Sequence, residues 1–251
     1  MDERKKEIIN KIEKCPSAIE VFGLDFIVDA IQTYDVINGD EWSRKNYFIA
    51  NYIMSASFYL NHNNFITELE KMLSYFLINH KNYIKSKSIL SRLMSKDEPL
   101  FQGKWSELIF AYFLKRRGVD IIDISKTEQT MNGDIELYDI KTNFGEIEIT
   151  AIMSAKGKVF DTENIFLGIL EIGDIEKQLV NKKIKNKSGK NILVIDCTFV
   201  DELHQKLYEV SQGIPIAFNV FKSTSKNVFL FLRHNETQQV DFCKYLNDDQ
   251  S

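Results

Sequence analysis

The chain has 251 residues, of which 44% are hydrophobic, 27% are charged and only 3 are proline. This balance excludes a fibrous or disordered protein. The formal net charge of −4 excludes a globally basic nucleic-acid-binding surface, so any such contact has to use a local basic patch. The three cysteines are widely spaced (Cys15, Cys197 and Cys243), which excludes a disulfide framework and fits a reducing cytoplasm.

No membrane segment or secretory signal is expected from the sequence. Residues 1–7 are mostly charged, unlike the start of a signal peptide. The longest apolar runs, such as residues 165–170, are far shorter than the roughly 20 residues that a membrane-spanning helix needs. We therefore predict a cytoplasmic protein without membrane contacts.

The first part of the chain is predicted to be helical throughout. Apolar residues between positions 23 and 38 suit a largely buried helix, which Gly39 is placed to end. Residues 65–77 carry apolar side chains at three- and four-residue spacing, the pattern of a helix with one wide apolar stripe. Further helices are predicted over residues 41–60 and 83–94. The sequence therefore predicts an all-α N-terminal region over residues 1–98.

The pattern changes near Pro99 to an alternation of helices and strands, which predicts an α/β domain over residues 99–251. Its first helix, residues 103–117, has basic residues in the last turn and Gly118 as its stop. Two period-two segments follow and predict an antiparallel hairpin over residues 133–138 and 145–152, with its turn at 139–144. The remaining predicted strands are 119–124, 191–196, 214–221 and 228–232, and the remaining helices are 174–185 and 200–211.

Carboxylates cluster on one face of the predicted hairpin. Strand alternation places Asp134 and Glu136 together on the first strand, and Glu146, Glu148 and Thr150 together on the second. Clustered carboxylates repel one another unless a positive charge lies between them, and hard cations such as Mg²⁺ take oxygen ligands of this kind. We therefore predict that Asp134 and Glu148 share Mg²⁺ or Mn²⁺. The alternative is that these acids form only the solvated face of a two-layer sheet.

The order of acids and elements along residues 103–232 is distinctive. Glu107 lies on an otherwise strongly apolar helix, Asp134 and Glu148 follow on the hairpin, and a lysine-rich helix and an Ile-Leu-Val-Ile strand come next. This succession resembles the PD-(D/E)XK nuclease superfamily. The resemblance implies a restriction-endonuclease-like mixed sheet flanked by helices, with Glu107 as the first-helix acid and Asp134 and Glu148 as the metal-binding acids. Glu107 has a simpler interpretation as a surface acid near a helix start.

Thr150 departs from the superfamily pattern, which has a lysine two residues after the second acid. In the superfamily's mechanism this lysine helps to position the nucleophile and offsets negative charge in the transition state, whereas a threonine hydroxyl carries no charge. A cation from elsewhere in the chain could take its place. The predicted substitutes are Lys156 and Lys158, followed by Lys177 and Gln178 on the next helix.

Basic charge is concentrated between residues 177 and 190, where six lysines occur without an acid. Such a run of lysines could contact a phosphate backbone along its length. The alternative is that the lysines form only the solvated end of a helix. The candidate nucleic-acid-binding residues are Lys177, Lys182, Lys183, Lys185 and Lys187.

Motifs for several other chemistries are absent from the sequence, which contains no HExxH, GxxxxGK[ST], GxGxxG or GxSxG pattern. The leading hypothesis is therefore Mg²⁺-dependent hydrolysis of phosphodiester bonds in DNA or RNA, with DNA favoured. The N-terminal helices would shape substrate access or contact a partner protein or a second copy of the chain. The resemblance further implies a role in restriction or phage defence. Two alternatives stay open: a catalytically inactive nuclease-fold protein that binds nucleic acid or a partner protein, and an unrelated α/β interaction protein.

Overall fold

Helices make up the N-terminal part of the computed structural model, and strands follow from Ile121 onward. The structure describes residues 3–36, 49, 63–130, 133–151, 192–196, 228–233 and 240–244. Within these residues the helices are α1 (Glu3–Ile12), α2 (Pro16–Phe22), α3 (Leu24–Val36), α4 (Asn63–Asn79), α5 (Lys81–Ile84), α6 (Lys87–Leu93) and α7 (Glu98–Arg116). The strands are β1 (Ile121–Thr130), β2 (Gly133–Thr142), β3 (Gly145–Ala151), β4 (Ile192–Asp196), β5 (Val228–Arg233) and β6 (Val240–Lys244).

The chain divides into two compact units, Met1–Tyr112 and Phe113–Ser251. The sequence placed the boundary between residues 98 and 99, whereas the observed division falls within α7. Pro99 does not separate the two regions, because it lies in the first helical turn, where its missing N–H costs no hydrogen bond.

The first unit is held together by apolar packing and by one side-chain clamp between helices. Ile27, Leu73 and Phe76 are fully buried. The backbone N and the Oγ of Ser17 donate to the two carboxylate oxygens of Glu70, at 2.9 and 2.6 Å. This carboxylate therefore joins the start of α2 to the middle of α4 and satisfies an N–H that the helix itself leaves without an acceptor.

The predicted helices are partly confirmed. The helix over 65–77 is present and extends at both ends, as α4. The helix predicted over 83–94 is instead broken into α5 and α6, because Ser86 starts a new helix and its Oγ accepts from Ile89 N at 3.4 Å. The helix predicted over 23–38 is observed as α3, and the one predicted over 41–60 lies outside the described residues apart from Ile49.

The described part of the second unit is built on one mixed sheet, and with its helices the chain as a whole is mixed α/β. Among the described residues, six strands form a sheet in the order β1-β2-β3-β4-β5-β6. The pairs β1–β2 and β2–β3 are antiparallel, β3–β4 and β4–β5 are parallel, and β5–β6 is antiparallel. The sequence did not predict β6, and the elements predicted over 174–185, 200–211 and 214–221 lie outside the described residues.

The centre of the sheet is its most apolar part. Ile147, Ile149, Leu193, Val194 and Ile195 are all buried, as expected for adjacent parallel strands that are covered on both faces. Strand β3 therefore joins an antiparallel hairpin on one side to the parallel centre on the other. No helix in the part of the chain that the structure describes is long and apolar enough to cross a bilayer.

Candidate functional site

The β2–β3 hairpin turns later in the chain than the sequence analysis predicted. The predicted turn over residues 139–144 is wrong, because β2 continues to Thr142 and only Asn143 and Phe144 form the turn. Thr142 Oγ1 donates to the Gly145 carbonyl at 3.1 Å and accepts from Phe144 N at 3.1 Å. Gly145 has a φ of +142°, a conformation that favours glycine. The turn is therefore fixed by Thr142 and Gly145.

This turn sets which acids face each other across the hairpin. Thr142 pairs with Gly145, and the register continues to Ile140 and Ile147. The next acid along β2 is Asp139, and continuing this register by one position would set it across from Glu148. Asp134 lies five residues further along β2, about 17 Å away at roughly 3.4 Å per residue, where its Cα pairs with Gln129 of β1. The register therefore favours Asp139 as the acid opposite Glu148, while the sharing of a metal ion by Asp134 and Glu148 stays a prediction.

The carboxylate of Asp139 contacts the backbone of the neighbouring strand β3. Ile149 N donates to Asp139 Oδ2 at 2.6 Å, whereas in a regular antiparallel ladder this amide would donate to a backbone carbonyl. Asp139 is only 6% exposed. The hydrogen bond fixes a buried carboxylate beside the amide that directly follows Glu148. The sequence signal that could have identified Asp139 is a two-residue turn at Asn143 and Phe144. Pairing residues outward from that turn sets position 139 opposite position 148.

The predicted alternation on β3 is confirmed. Glu146 and Glu148 are partly exposed, while Ile147 and Ile149 are buried on the other face. Thr150 is 4% exposed and pairs in register with Ile195 of β4. The position at which the superfamily has its lysine therefore holds a small, buried and uncharged side chain.

One lysine belongs to the same face of the hairpin. Lys141 pairs across the strands with Glu146, and its Nζ lies 3.3 Å from Glu146 Oε1. The Lys141 ammonium also lies 5.6 Å from the ring centre of Tyr138. Tyr138 in turn donates its hydroxyl to Asp123 Oδ2 at 2.8 Å. Lys141 is thus held close to the candidate acids by a carboxylate and an aromatic ring.

The Tyr138 phenol makes a testable contribution to stability. Burial and the hydrogen bond to Asp123 raise its pKa from 10.0 to about 12. Because the folded state holds this proton more tightly than the unfolded state does, the stabilisation is complete below pH 10 and is lost as the pH rises towards 12. We expect the free energy of unfolding to fall more steeply between pH 10 and 12 in the wild type than in Tyr138→Phe. Urea unfolding at several pH values measures both slopes, and equal slopes would contradict the raised pKa.

Glu107 lies in the first unit and is already paired within it. Its carboxylate forms a buried ion pair with Lys104, and Tyr83 donates its hydroxyl to Glu107 Oε2 at 3.3 Å. Lys104 is 1% exposed and Glu107 is buried, so the simpler interpretation of Glu107 as a surface acid is wrong. Its role as the acid of a catalytic site stays a prediction.

The other candidate site residues lie outside the described residues and stay predictions. They are Lys156, Lys158, Lys177, Gln178, Lys182, Lys183, Lys185 and Lys187.

Two carboxylates on one hairpin suit a divalent cation by their donor chemistry. Within the described ranges, no group of three or more His, Cys, Asp or Glu side chains is arranged to hold a metal ion. Mg²⁺ at phosphate-processing sites is commonly held by one or two carboxylates together with substrate oxygens and waters. Asp139 and Glu148 have the oxygen donors that such a cation takes.

Comparison with known proteins identifies no relative of this chain. No family model matches the chain, and the searches of curated proteins and of solved structures return no significant match. The function of this chain has to be inferred from its own residues.

Proposed function

We propose that the chain is a metal-dependent phosphodiesterase that acts on nucleic acid, with Asp139 and Glu148 as the acids that hold Mg²⁺ or Mn²⁺. The observation that carries this proposal is the hydrogen bond from Ile149 N to Asp139 Oδ2. It orients a carboxylate beside the amide that follows Glu148, and carboxylate oxygens are ligands that a hard cation takes.

Each acid has a distinct part in the proposed site. Asp139 is buried and bonded to the backbone, so its carboxylate is already oriented and loses little freedom when a cation binds. Glu148 is partly exposed, which leaves it able to face a substrate in solution. When bound, Mg²⁺ would polarise a phosphoryl oxygen and supply a nucleophilic water. The protein's contribution is to supply two carboxylates from neighbouring strands, of which Asp139 is oriented by its hydrogen bond.

The order of elements supports the comparison with a restriction-endonuclease-like fold. Helix α7 leads into the antiparallel strands β1, β2 and β3, and β3 continues into the parallel strands β4 and β5. This is the succession that the resemblance implies, with the acids on the β2–β3 hairpin. A DNA substrate, favoured over RNA, and a role in restriction or phage defence are parts of the same proposal.

The proposal is tested by metal binding and cleavage in parallel. We expect the wild-type chain to bind Mn²⁺ in calorimetric titrations and to cleave plasmid DNA in Mg²⁺ or Mn²⁺. Because Glu148→Gln keeps the side-chain shape but removes the charge, it should slow cleavage by about 10²–10³-fold, by analogy with the loss of one transition-state-stabilising group. Asp120→Asn is the matched control, since Asp120 is an exposed acid of the same unit. Cleavage that persists in excess EDTA would overturn the mechanism.

A second candidate is a nuclease-fold protein without catalysis, and the burial of Thr150 favours it. A buried, uncharged residue at the lysine position leaves the negative charge of the transition state without the superfamily's usual counter-charge. This candidate predicts that the wild type binds Mn²⁺ without cleaving DNA or RNA, and that Thr150→Lys creates cleavage. Cleavage by the wild type that Thr150→Lys does not increase would rule this candidate out.

A further inference from the structure

Positive charge is concentrated in residues 80–96, which comprise α5, α6 and the residues next to them. The segment contains four lysines, one arginine and no acid, although the whole chain has a formal net charge of −4. We propose that the exposed face of α6, with Lys87 and Arg92 as its cations, binds the phosphate backbone of a nucleic acid. The inference rests on the proposed function for the class of ligand, and it adds a binding surface in the first unit that needs no metal ion.

Helix α6 has its apolar and polar residues on opposite sides. Ile89 and Leu93 are buried, as is Ile84 of α5. The exposed residues of α6 are Lys87, Ser88, Ser91 and Arg92. At 3.6 residues per turn, these four positions fall within an arc of about 140°. Every exposed side chain of α6 therefore lies on one face and carries a hydrogen-bond donor.

The two lysines of α5 and its C-terminal end already have partners on α2, whereas those of α6 face solvent. Lys81 Nζ lies 3.1 Å from Glu20 Oε1, and the Lys85 ammonium donates to the Glu20 carbonyl. Among the described residues, the ion pairs include neither Lys87 nor Arg92. Like charges in one segment repel one another, and a bound anion would offset that repulsion.

The exposed residues favour a phosphate backbone over a lipid surface. Within residues 80–96, every exposed residue is lysine, arginine, serine or asparagine, and these side chains commonly contact nucleic-acid phosphates. A helix that lies on a membrane instead inserts large apolar side chains, but the apolar residues Ile89 and Leu93 are buried in the protein. Lys87 and Arg92 are about 7.5 Å apart along the helix axis, at 1.5 Å per residue, so they can contact two different phosphates.

The test measures nucleic-acid binding in EDTA, where the proposed metal site cannot contribute. Fluorescence anisotropy follows a labelled DNA duplex, and an RNA duplex of the same sequence shows which backbone is preferred. We expect Lys87→Gln combined with Arg92→Gln to weaken binding by about tenfold to hundredfold at about 0.1 M salt. The slope of log affinity against log salt should become shallower by about 1.8, because each lost phosphate contact removes about 0.9. Circular dichroism should show an unchanged fold, since both side chains are exposed.

Two further variants separate a local contact from an effect of net charge. Lys87→Arg combined with Arg92→Lys keeps both charges and should keep the wild-type slope. Lys14→Gln combined with Lys71→Gln removes the same charge from two exposed lysines of the same unit, which lie next to Glu13 and Glu68. Because salt screens exposed charges that are distant from the ligand, this control should bind within about twofold of the wild type.

The outcomes distinguish this inference from the proposed function. If the glutamine variant of Lys87 and Arg92 binds no more weakly than the control, the role of α6 is wrong, and cleavage that depends on Glu148 would still support the proposed function. If the wild type binds neither DNA nor RNA, the inference is wrong. Binding to phosphatidylserine vesicles or to poly-glutamate would then identify a lipid surface or an acidic polypeptide as the partner. If Lys87 and Arg92 are needed to bind DNA that the wild type does not cleave in Mg²⁺, the proposed function fails and the binding surface stands.

Discussion

Replacing Glu107 by alanine is expected to lower the free energy of unfolding by about 3–5 kcal/mol, the usual cost of removing one partner of a buried ion pair. Lys104 is 1% exposed and forms its ion pair with Glu107. The alanine variant would leave this ammonium in the core without the carboxylate that offsets its charge. It would also remove the acceptor of the Tyr83 hydroxyl, which lies 3.3 Å from Glu107 Oε2.

The chain offers a matched control for this prediction. Glu68 and Lys71 have the same i,i+3 spacing, with Lys71 Nζ 3.0 Å from Glu68 Oε1, but their side chains are 26% and 57% exposed. Because water screens this pair, Glu68→Ala should cost less than about 1 kcal/mol. Urea unfolding followed by circular dichroism measures both variants. Equal costs for Glu68→Ala and Glu107→Ala would show that the buried pair does not hold the first unit together.

A double substitution separates the ion pair from the packing around it. Lys104→Met combined with Glu107→Leu removes both charges and keeps similar side-chain volumes. Replacing a buried ion pair by apolar residues of similar volume is commonly neutral or stabilising. We therefore expect the free energy of unfolding of the double variant to lie within about 1 kcal/mol of the wild-type value or above it. It should be well above the value for Glu107→Ala. If the double variant is as unstable as Glu107→Ala, the loss of stability comes from altered packing and not from the unpaired charge.

The strands of the second unit were largely predictable because their apolar patterns are local. Period-two alternation marked the hairpin, and a run that is apolar on both faces marked β4, which is observed at the centre of the sheet. Strand β6 was missed because Val240–Lys244 is short and contains Asp241 and Lys244, so its strand character depends on pairing with β5.

The turn of the hairpin was harder to predict than its strands. Asp139 and Asn143 are of turn-forming residue types, so residues 139–144 were assigned to a turn. The alternation nevertheless continues through Thr142, and the fixed turn consists of Asn143 and Phe144 alone. The longer strand moved the acid that faces Glu148 from Asp134 to Asp139. An error in turn length thus changes which acid is the candidate partner of Glu148, because register follows from the turn.

The partners of Glu107 could be predicted only in part. The i,i+3 spacing of Lys104 and Glu107 is visible in the sequence and favours an ion pair on a helix. Burial of that pair is not visible, because it depends on how α5 and α7 pack within the first unit. The contact from Tyr83, which is 24 residues away in the chain, is long-range information that helical periodicity does not contain.

The choice between Asp139 and Asp134 as the partner of Glu148 has a direct experimental answer. Asp139→Asn should lower Mn²⁺ affinity at least about tenfold, since the loss of an outer-shell partner alone commonly costs 10–100-fold. It should also slow cleavage by about 10²–10³-fold. The asparagine oxygen can still accept from Ile149 N, so the hairpin should keep its fold and the loss should reflect charge. Asp139→Ala would break this hydrogen bond as well and is therefore the less informative change.

Asp134→Asn is the matched variant, because it removes the same charge from the same strand. The register places Asp134 opposite Gln129 of β1, about 17 Å along β2 from Asp139 at roughly 3.4 Å per residue. A carboxylate at that distance from Glu148 is too remote to share its cation, since Mg²⁺ lies about 2.0–2.1 Å from its oxygen ligands. We therefore expect Asp134→Asn to leave Mn²⁺ affinity and cleavage within about twofold of the wild type. If Asp134→Asn abolishes both while Asp139→Asn does not, Asp134 is the metal-binding acid and the buried carboxylate of Asp139 serves only to shape the hairpin.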